Sequence, residues 1–275
     1  MTALTLGAQA QCASPTGVRF HNETADTATI TQMLIQTQGT TPSKGATMVE
    51  IATRFEGRPY VSGTLEGDPE MLTVNIDEFD CMTFVETVAA MTMTLDEHRT
   101  SWIDFIYNLE QLRYRGGRAG DYASRLHYFS DWVVDNTHRG NLREVSDRIG
   151  PKAYAVKTLD FMSSNADKYP ALKDKAAVAA IRNTEIGYRM HRFPYIKTTD
   201  ISKAQLRDGD IIAITTSIKN LDVTHTGIVK MVDGVPHLIH ASSKAGKVVL
   251  DATPLQDYVR HNRTATGIRV VRLAD

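Results

Sequence analysis

Helix-period apolar spacing in the first two thirds of the chain, with short β-branched runs in the last third, predicts an α+β fold. From Cys81 the apolar positions 81, 84, 85, 88, 91 and 95 recur at helical spacing. After residue 200, "GDIIAITT", "HTGIVKMV", "HLIHAS", "KVVLDA" and "GIRVVRL" are short runs separated by turn residues. Asp233-Gly234 between two of them is a strong hairpin signal. Helices first and antiparallel strands second place the sheet in the C-terminal third.

The elements follow in order. Residues 24–40 and 43–55 suit two helices, broken at Pro42-Ser43. The Gly/Pro-rich stretch 56–70 reads as a loop, and "LTVNI" at 72–76 as a short strand. Asp80 is placed to cap the helix that opens at Cys81. Further helices are predicted over 101–112, 122–135, 152–164 and 174–190. Without an internal repeat, a low-complexity tract or a linker, residues 21–275 read as one domain behind an N-terminal tail of 1–20.

The 275 residues are 42% hydrophobic and 23% charged, the make-up of an ordinary globular protein. A net charge of −1 gives no electrostatic reason to expect nucleic acid as a partner. No apolar run approaches the ~18 residues of a membrane span. "MTALTLGAQAQC" reads as the end of a secretory signal, with Ala8-Gln9-Ala10 as the small-x-small cleavage site. Its charged beginning is missing, as if numbering started at an internal methionine of a longer precursor. An exported, periplasmic protein is expected. Cys12 would lie just after the cut, and its neighbours fit a lipoprotein anchor poorly. Two cysteines make no disulfide framework in a chain of this size, so Cys81 is expected to be a free thiol.

A thiolate at a helix N-terminus is stabilised by unpaired N–H groups and the positive end of the helix dipole. Asp80 opposes this, so a base is needed to take the proton. If Asp233-Gly234 is a two-residue turn, residues whose numbers sum to 467 pair, and His225 faces Ser242. His240 then sits diagonally from His225 on the same side, at a Cα separation of about 7–8 Å. That side also carries Val229, Met231 and Leu238 and is expected to pack against the Cys81 helix; His237 falls on the other. Two readings compete with catalysis: a cysteine that is simply a small buried hydrophobe, and a Cys-His-His zinc site. The zinc site lacks the usual local spacing, so neither metal nor cofactor is expected.

Six ordered blocks carry a resemblance: "PYVSGTLE" (59–66), "FDCMTFVE" (79–86), "SRLHYFSDWVVDN" (124–136), "LRDGDIIAI" (206–214), "LDVTHTGIV" (221–229) and "LIHASS" (238–243). They resemble the N-acetylmuramoyl-L-alanine amidase-like family, a bacterial domain of unknown function in the papain-like NlpC/p60 superfamily, over about residues 50–272. The resemblance implies a nucleophile helix packed on an antiparallel sheet, with a large helical insertion between cysteine and histidine. It implies Cys81 as nucleophile, His225 as base and His240 as its orienter. Tyr60 would shape the oxyanion or substrate pocket, and Glu66, Ser124, Arg125, His127 and Tyr128 would bind substrate.

The implied substrate is a peptidoglycan fragment, cut between N-acetylmuramic acid and L-alanine by a monomeric enzyme through a thioester. The departures Asp80-Cys81-Met82-Thr83, for the superfamily's Asp-Cys-Ser-Gly, and Gly63-Thr64-Leu65-Glu66, for a Gly pair, favour the amidase branch. A stem-peptide endopeptidase cutting between D-glutamate and a diamino acid, or a muropeptide-binding protein without turnover, stays open. Arg125, placed with Tyr128 and Trp132 along the 122–135 helix, is expected to hold a stem carboxylate. Trp132 is expected to pack the helix down. The arginines of "RYRGGR" (113–118) read as a solvated surface loop.

Overall fold

The structure, a computed structural model, describes residues 17–274; the expected leader with Ala8-Gln9-Ala10 and Cys12 lies outside the described residues. Strand β1 (Val18–Phe20) pairs in parallel with β2 (Leu72–Val74), and α1 (Glu23–Thr37) and α2 (Lys44–Arg54) run between them. Asn22 and Ser43 cap these helices by accepting from the N–H groups of Ala25 and Ala46. Next come α3 (Cys81–Asp96), α4 (Trp102–Arg113), α5 (Phe129–His138), β3 (Leu142–Glu144) and β4 (Ala153–Val156). The chain continues through α6 (Phe161–Ser164), α7 (Lys175–Gly187), β5 (Arg192–Lys197), β6 (Ile211–Thr216), β7 (Val223–Val232) and β8 (Val235–Ser242). It ends with β9 (Lys247–Leu250), α8 (Leu255–His261) and β10 (Ala265–Leu273). The main sheet is antiparallel, in the order β4-β5-β10-β6-β7-β8-β9, with β3 also on β10.

The α+β class and the hairpin register are as predicted. Val232 pairs with Val235 and Ile228 with Ile239. Asp233 (φ 49°) and Gly234 (φ 78°) take the left-handed conformations that a two-residue hairpin turn needs. The face assignment, however, is reversed. Ile228, Ile239 and Ala241 join the core around α3, whereas Val229 and Leu238 pack with Leu255 and Val259 of α8. The side that carries His225 and His240 is therefore the α8 side. Both faces of these strands are apolar, so hydrophobicity alone does not say which helix covers which.

Three other expectations change. Residues 153–156 form an edge strand paired with β5, in place of a helix over 152–164; their alternating exposure has period two. Strand β5 was not expected, and with β3 and β4 it extends the sheet beyond the C-terminal third. The segment between Cys81 and His225 is thus mixed, not purely helical. The third change is at 122–135, where Tyr122–Ser124 make one 3₁₀ turn, Arg125 is extended, and α5 starts only at Phe129. The amide of Leu126 donates to Arg113 O and Arg125 bridges Tyr114, which draws this segment alongside the end of α4.

"RYRGGR" is only partly a surface loop. Arg113 is buried, with Nε 2.6 Å from Glu86 Oε2 of α3 and Nη1 2.6 Å from Thr73 O. Arg115 grips Asp131 with both Nη atoms, at 2.9 and 2.5 Å, and Arg118 is exposed. Arg113→Ala should therefore destabilise the protein by about 3–5 kcal/mol in urea unfolding, because Glu86 is left buried without its cation. Arg113→Met with Glu86→Leu should recover most of that loss.

Candidate active site

Cys81 is the first residue of α3, and its position follows from the cap before it. Asp80 Oδ1 accepts from the amides of Met82 (2.9 Å) and Thr83 (2.8 Å), while Thr83 Oγ1 accepts from the Asp80 amide at 2.9 Å. This capping box closes two of the helix's free N–H groups. Asp80 does not take the Cys81 N–H, which stays next to the residue's own sulfur. The sheet holds the same turn, as Thr226 Oγ1 of β7 donates to Cys81 O at 2.8 Å. The thiol is free and half-buried. Burial first, then the Asp80 charge, pushes it up to about 11, against smaller favourable contacts from Thr226.

His225 stands one residue before Thr226. Its Nε2 lies 2.6 Å from His240 Nδ1, with the rings edge to face. Gly227 makes room for this pair: a Cβ there would come within 2.9 Å of the Cβ of His240. Behind them, His240 Nε2 is 3.6 Å from Asp251 Oδ2, and the Tyr258 ring of α8 is 5.3 Å from the His240 ring. Burial, then His240, pushes His225 down to about 3; burial also lowers His240, with Asp251 opposing. The resting site is a neutral thiol and two neutral imidazoles.

Cys81 and His225 line one cleft of about 260 Å³ together with Thr226, Glu66, His127 and Tyr128. Tyr60 lies close by on a loop, its N–H donating a hydrogen bond to Gly246 O at 2.9 Å. Its phenol is held protonated by burial and by the nearby Cys81 and Asp80. His225 Nε2 and His240 Nδ1 are spent on each other, so they are not both free for a cation. Among the described residues, no group of three or more His, Cys, Asp or Glu is arranged to hold a metal ion.

Several residues expected to bind substrate have partners within the protein. Arg125 is buried, and its Nη2 is 2.7 Å from Glu66 Oε1 and its Nε 3.6 Å from Glu70 Oε1. Its guanidinium is thus already engaged by carboxylates of the protein itself. Nor do Arg125 and Tyr128 share a helix face, since both precede α5. Tyr128 donates to Glu185 Oε1 at 2.7 Å and accepts from the Met162 amide at 2.9 Å. His127 Nε2 meets Tyr122 O at 2.7 Å, and burial pushes its pKa down to about 3. Ser124 closes a local turn, its hydroxyl donating to Asp121 O at 2.6 Å. Trp132 is fully buried against Phe129, the packing role expected of it. Backbone donors for an oxyanion are also fewer than the helix start suggested, because Asp80 occupies those of Met82 and Thr83.

Sequence reading missed Thr226, Asp251, Tyr258 and Glu70. For Asp251 a signal existed. His240 pairs with Val249, so hairpin arithmetic carried one strand further puts residue 251 diagonally beside His240. Thr226 and Glu70 had none, because their partners come from distant parts of the chain.

Two measurements check this geometry. Iodoacetamide should alkylate Cys81 in the substrate-free protein at a rate that rises about tenfold per pH unit from pH 7 to pH 10, because the thiolate is scarce until near the raised pKa. A plateau beginning near pH 6 would indicate a resting ion pair instead. Arg125→Ala should cost about 3 kcal/mol or more in urea unfolding, since Glu66 and Glu70 lose their shared cation.

The model of the N-acetylmuramoyl-L-alanine amidase-like family matches residues 50–268. Among solved structures, an N-acetylmuramoyl-L-alanine amidase from Bacteroides uniformis is 36% identical, with a TM-score of 0.79 over 84% of this chain and 99% of that one. A candidate xylanase from Bacteroides fragilis is 37% identical, with a TM-score of 0.76 over 81% and 98%. A Legionella pneumophila protein shares the fold at 22% identity and a TM-score of 0.70, over 92% and 96%. Comparison with curated proteins found no match. With the family model spanning most of its length, the chain belongs to the N-acetylmuramoyl-L-alanine amidase-like family.

Proposed function

We propose that the protein is a cysteine amidohydrolase of the papain-like NlpC/p60 type. It would cut the amide between N-acetylmuramic acid and L-alanine in peptidoglycan fragments. The observation that carries this reading is the 2.6 Å His225–His240 bond beside a cleft that also exposes a helix-start cysteine. Family membership supports the substrate class. A cell-wall substrate also fits an exported protein.

In this mechanism the Asp251 carboxylate, 3.6 Å from His240 Nε2, favours a proton on that nitrogen electrostatically, His240 Nδ1 accepts from His225 Nε2, and His225 Nδ1 is left to receive the thiol proton. The tautomers follow from that last requirement. The neutral pair transfers its proton as the sulfur attacks the lactyl carbonyl, which is general-base catalysis. Cys81 N–H and the Tyr60 hydroxyl stabilise the tetrahedral oxyanion. The C–N bond then breaks, with His225 returning the proton to the leaving L-alanine amine, and a thioester remains. Water, deprotonated by His225, hydrolyses it.

Incubation of the purified protein with a defined muropeptide, followed by mass analysis, tests the reading. The expected products are a free muramoyl sugar and an intact stem peptide. A cut stem would indicate an endopeptidase, and absence of product a binding protein. Cys81→Ala and thiol alkylation should abolish turnover, while a chelator should leave it intact. Asp251→Asn should lower kcat about 10- to 100-fold with little change in KM, because His240 loses its orienting carboxylate.

A further inference from the structure

Lys157, the residue after β4, reaches from the segment between Cys81 and His225 into the β6–β7 connection. Its ammonium donates to the backbone carbonyls of Thr216, Ile218 and Leu221, the last two at 2.7 Å. An ammonium has three N–H donors and no acceptor, and this one connection provides an acceptor for each. Thr216 ends β6 and Leu221 lies just ahead of β7, so the contacts clasp the connection at both ends.

The clasped connection leads into an irregular start of β7. Ile214 pairs with His225, but Thr215 pairs with Val223, so Thr224 is an extra residue on β7 directly before the candidate base. A bulge of this kind re-aims the neighbouring side chain, and its shape depends on what holds the strand on either side. After it, the regular ladder with β6 and the Thr226 bond to Cys81 O fix the strand. Before it, Ser130 N holds Asp222 and Lys157 holds the connection. Residues Leu221, Asp222, Val223 and Thr224 line the Cys81 cleft beside His225, so a shift of the connection is felt in the site.

We propose that Lys157 is a positioning residue for His225: its ammonium closes the β6–β7 connection, sets the bulge at Thr224 and so aims the imidazole at Cys81. This rests on the reading of Cys81 and His225 as nucleophile and base. The ammonium acts through the backbone of the connection and takes no part in proton transfer. Three carbonyls converging on one point also form a cradle that a free alkylammonium ion fits once the lysine side chain is removed, which opens the role to chemical rescue.

Two variants of the full chain test this. Lys157→Met keeps most of the aliphatic stem without the ammonium, and Lys157→Ala empties the cradle. The Hε1–Cε1 NMR cross-peak of His225, assigned with His225→Gln, should shift or broaden in Lys157→Met. That of His127, tied to Tyr122 O, should stay in place. On a muropeptide, kcat should fall about tenfold or more with KM within about twofold, because the base is displaced while the substrate contacts remain. Propylammonium should restore the His225 cross-peak and most of the lost kcat to Lys157→Ala. Tetramethylammonium, a cation without N–H donors, should restore neither. A wild-type cross-peak or a wild-type kcat in Lys157→Met, a loss of kcat that only tracks loss of folded protein, or an equal response to the two cations would overturn the proposal. So would failure of both variants to fold in propylammonium. If the wild-type protein cleaves no muramoyl amide, the amidase reading fails by itself and the cross-peak alone decides. His225 displaced in the variants and returned by propylammonium then supports the positioning role, and His225 unmoved overturns it.

Discussion

A helix buried through its middle turns has only its ends available for chemistry, and this constraint organises the molecule. Residues 83–92 of α3 are all buried, between β7 and β8 on one side and α2 and α4 on others. Polar groups inside that helix have been met locally. Thr92 and Thr94 donate back to the carbonyls of Val88 and Ala90 at 2.8 Å, and Glu86 is matched by Arg113. At the first turn the Asp80 cap ends the buried stretch and Cys81 comes into the cleft. A thiol placed one or two turns later would be sealed in the core.

The cap that fixes Cys81 also opposes its ionisation. Burial and Asp80 raise the thiol, and burial lowers both histidines, so the largest effects favour neutral partners. Such a balance suits the proposed general-base mechanism better than a stored thiolate. The same burial makes orientation matter more than charge. Two imidazoles in a 2.6 Å contact need one donor and one acceptor nitrogen between them, and Asp251 is the carboxylate nearest the outer nitrogen of His240, at 3.6 Å.

The long segment between Cys81 and His225 is fastened to the rest by buried polar contacts. Ser130 N donates to Asp222 Oδ2 at 2.7 Å just ahead of β7, and Arg269 of β10 holds Glu144 and Ser130. Tyr128 ties the start of α5 to Glu185 of α7. These bonds hold the walls of the Cys81 cleft, and several of them come from the block "SRLHYFSDWVVDN". Arg125 is the clearest case: a cation placed beside the site, directed at Glu66 and Glu70 instead of at the solvent.

The sequence by itself determined what local physics controls. Helical spacing and a capping aspartate located Cys81 at a helix start, and a two-residue turn set the register that brings His225 beside His240. Both signals act over a few residues, where periodicity and turn geometry leave few alternatives. The sheet face toward α3, the strands β3, β4 and β5, the burial of Arg113 and Arg125, and the Thr226 contact to Cys81 were decided only by tertiary structure. Each depends on partners far along the chain: both faces of β7 and β8 are apolar, and an arginine reads as solvated until a buried carboxylate from another element is brought against it.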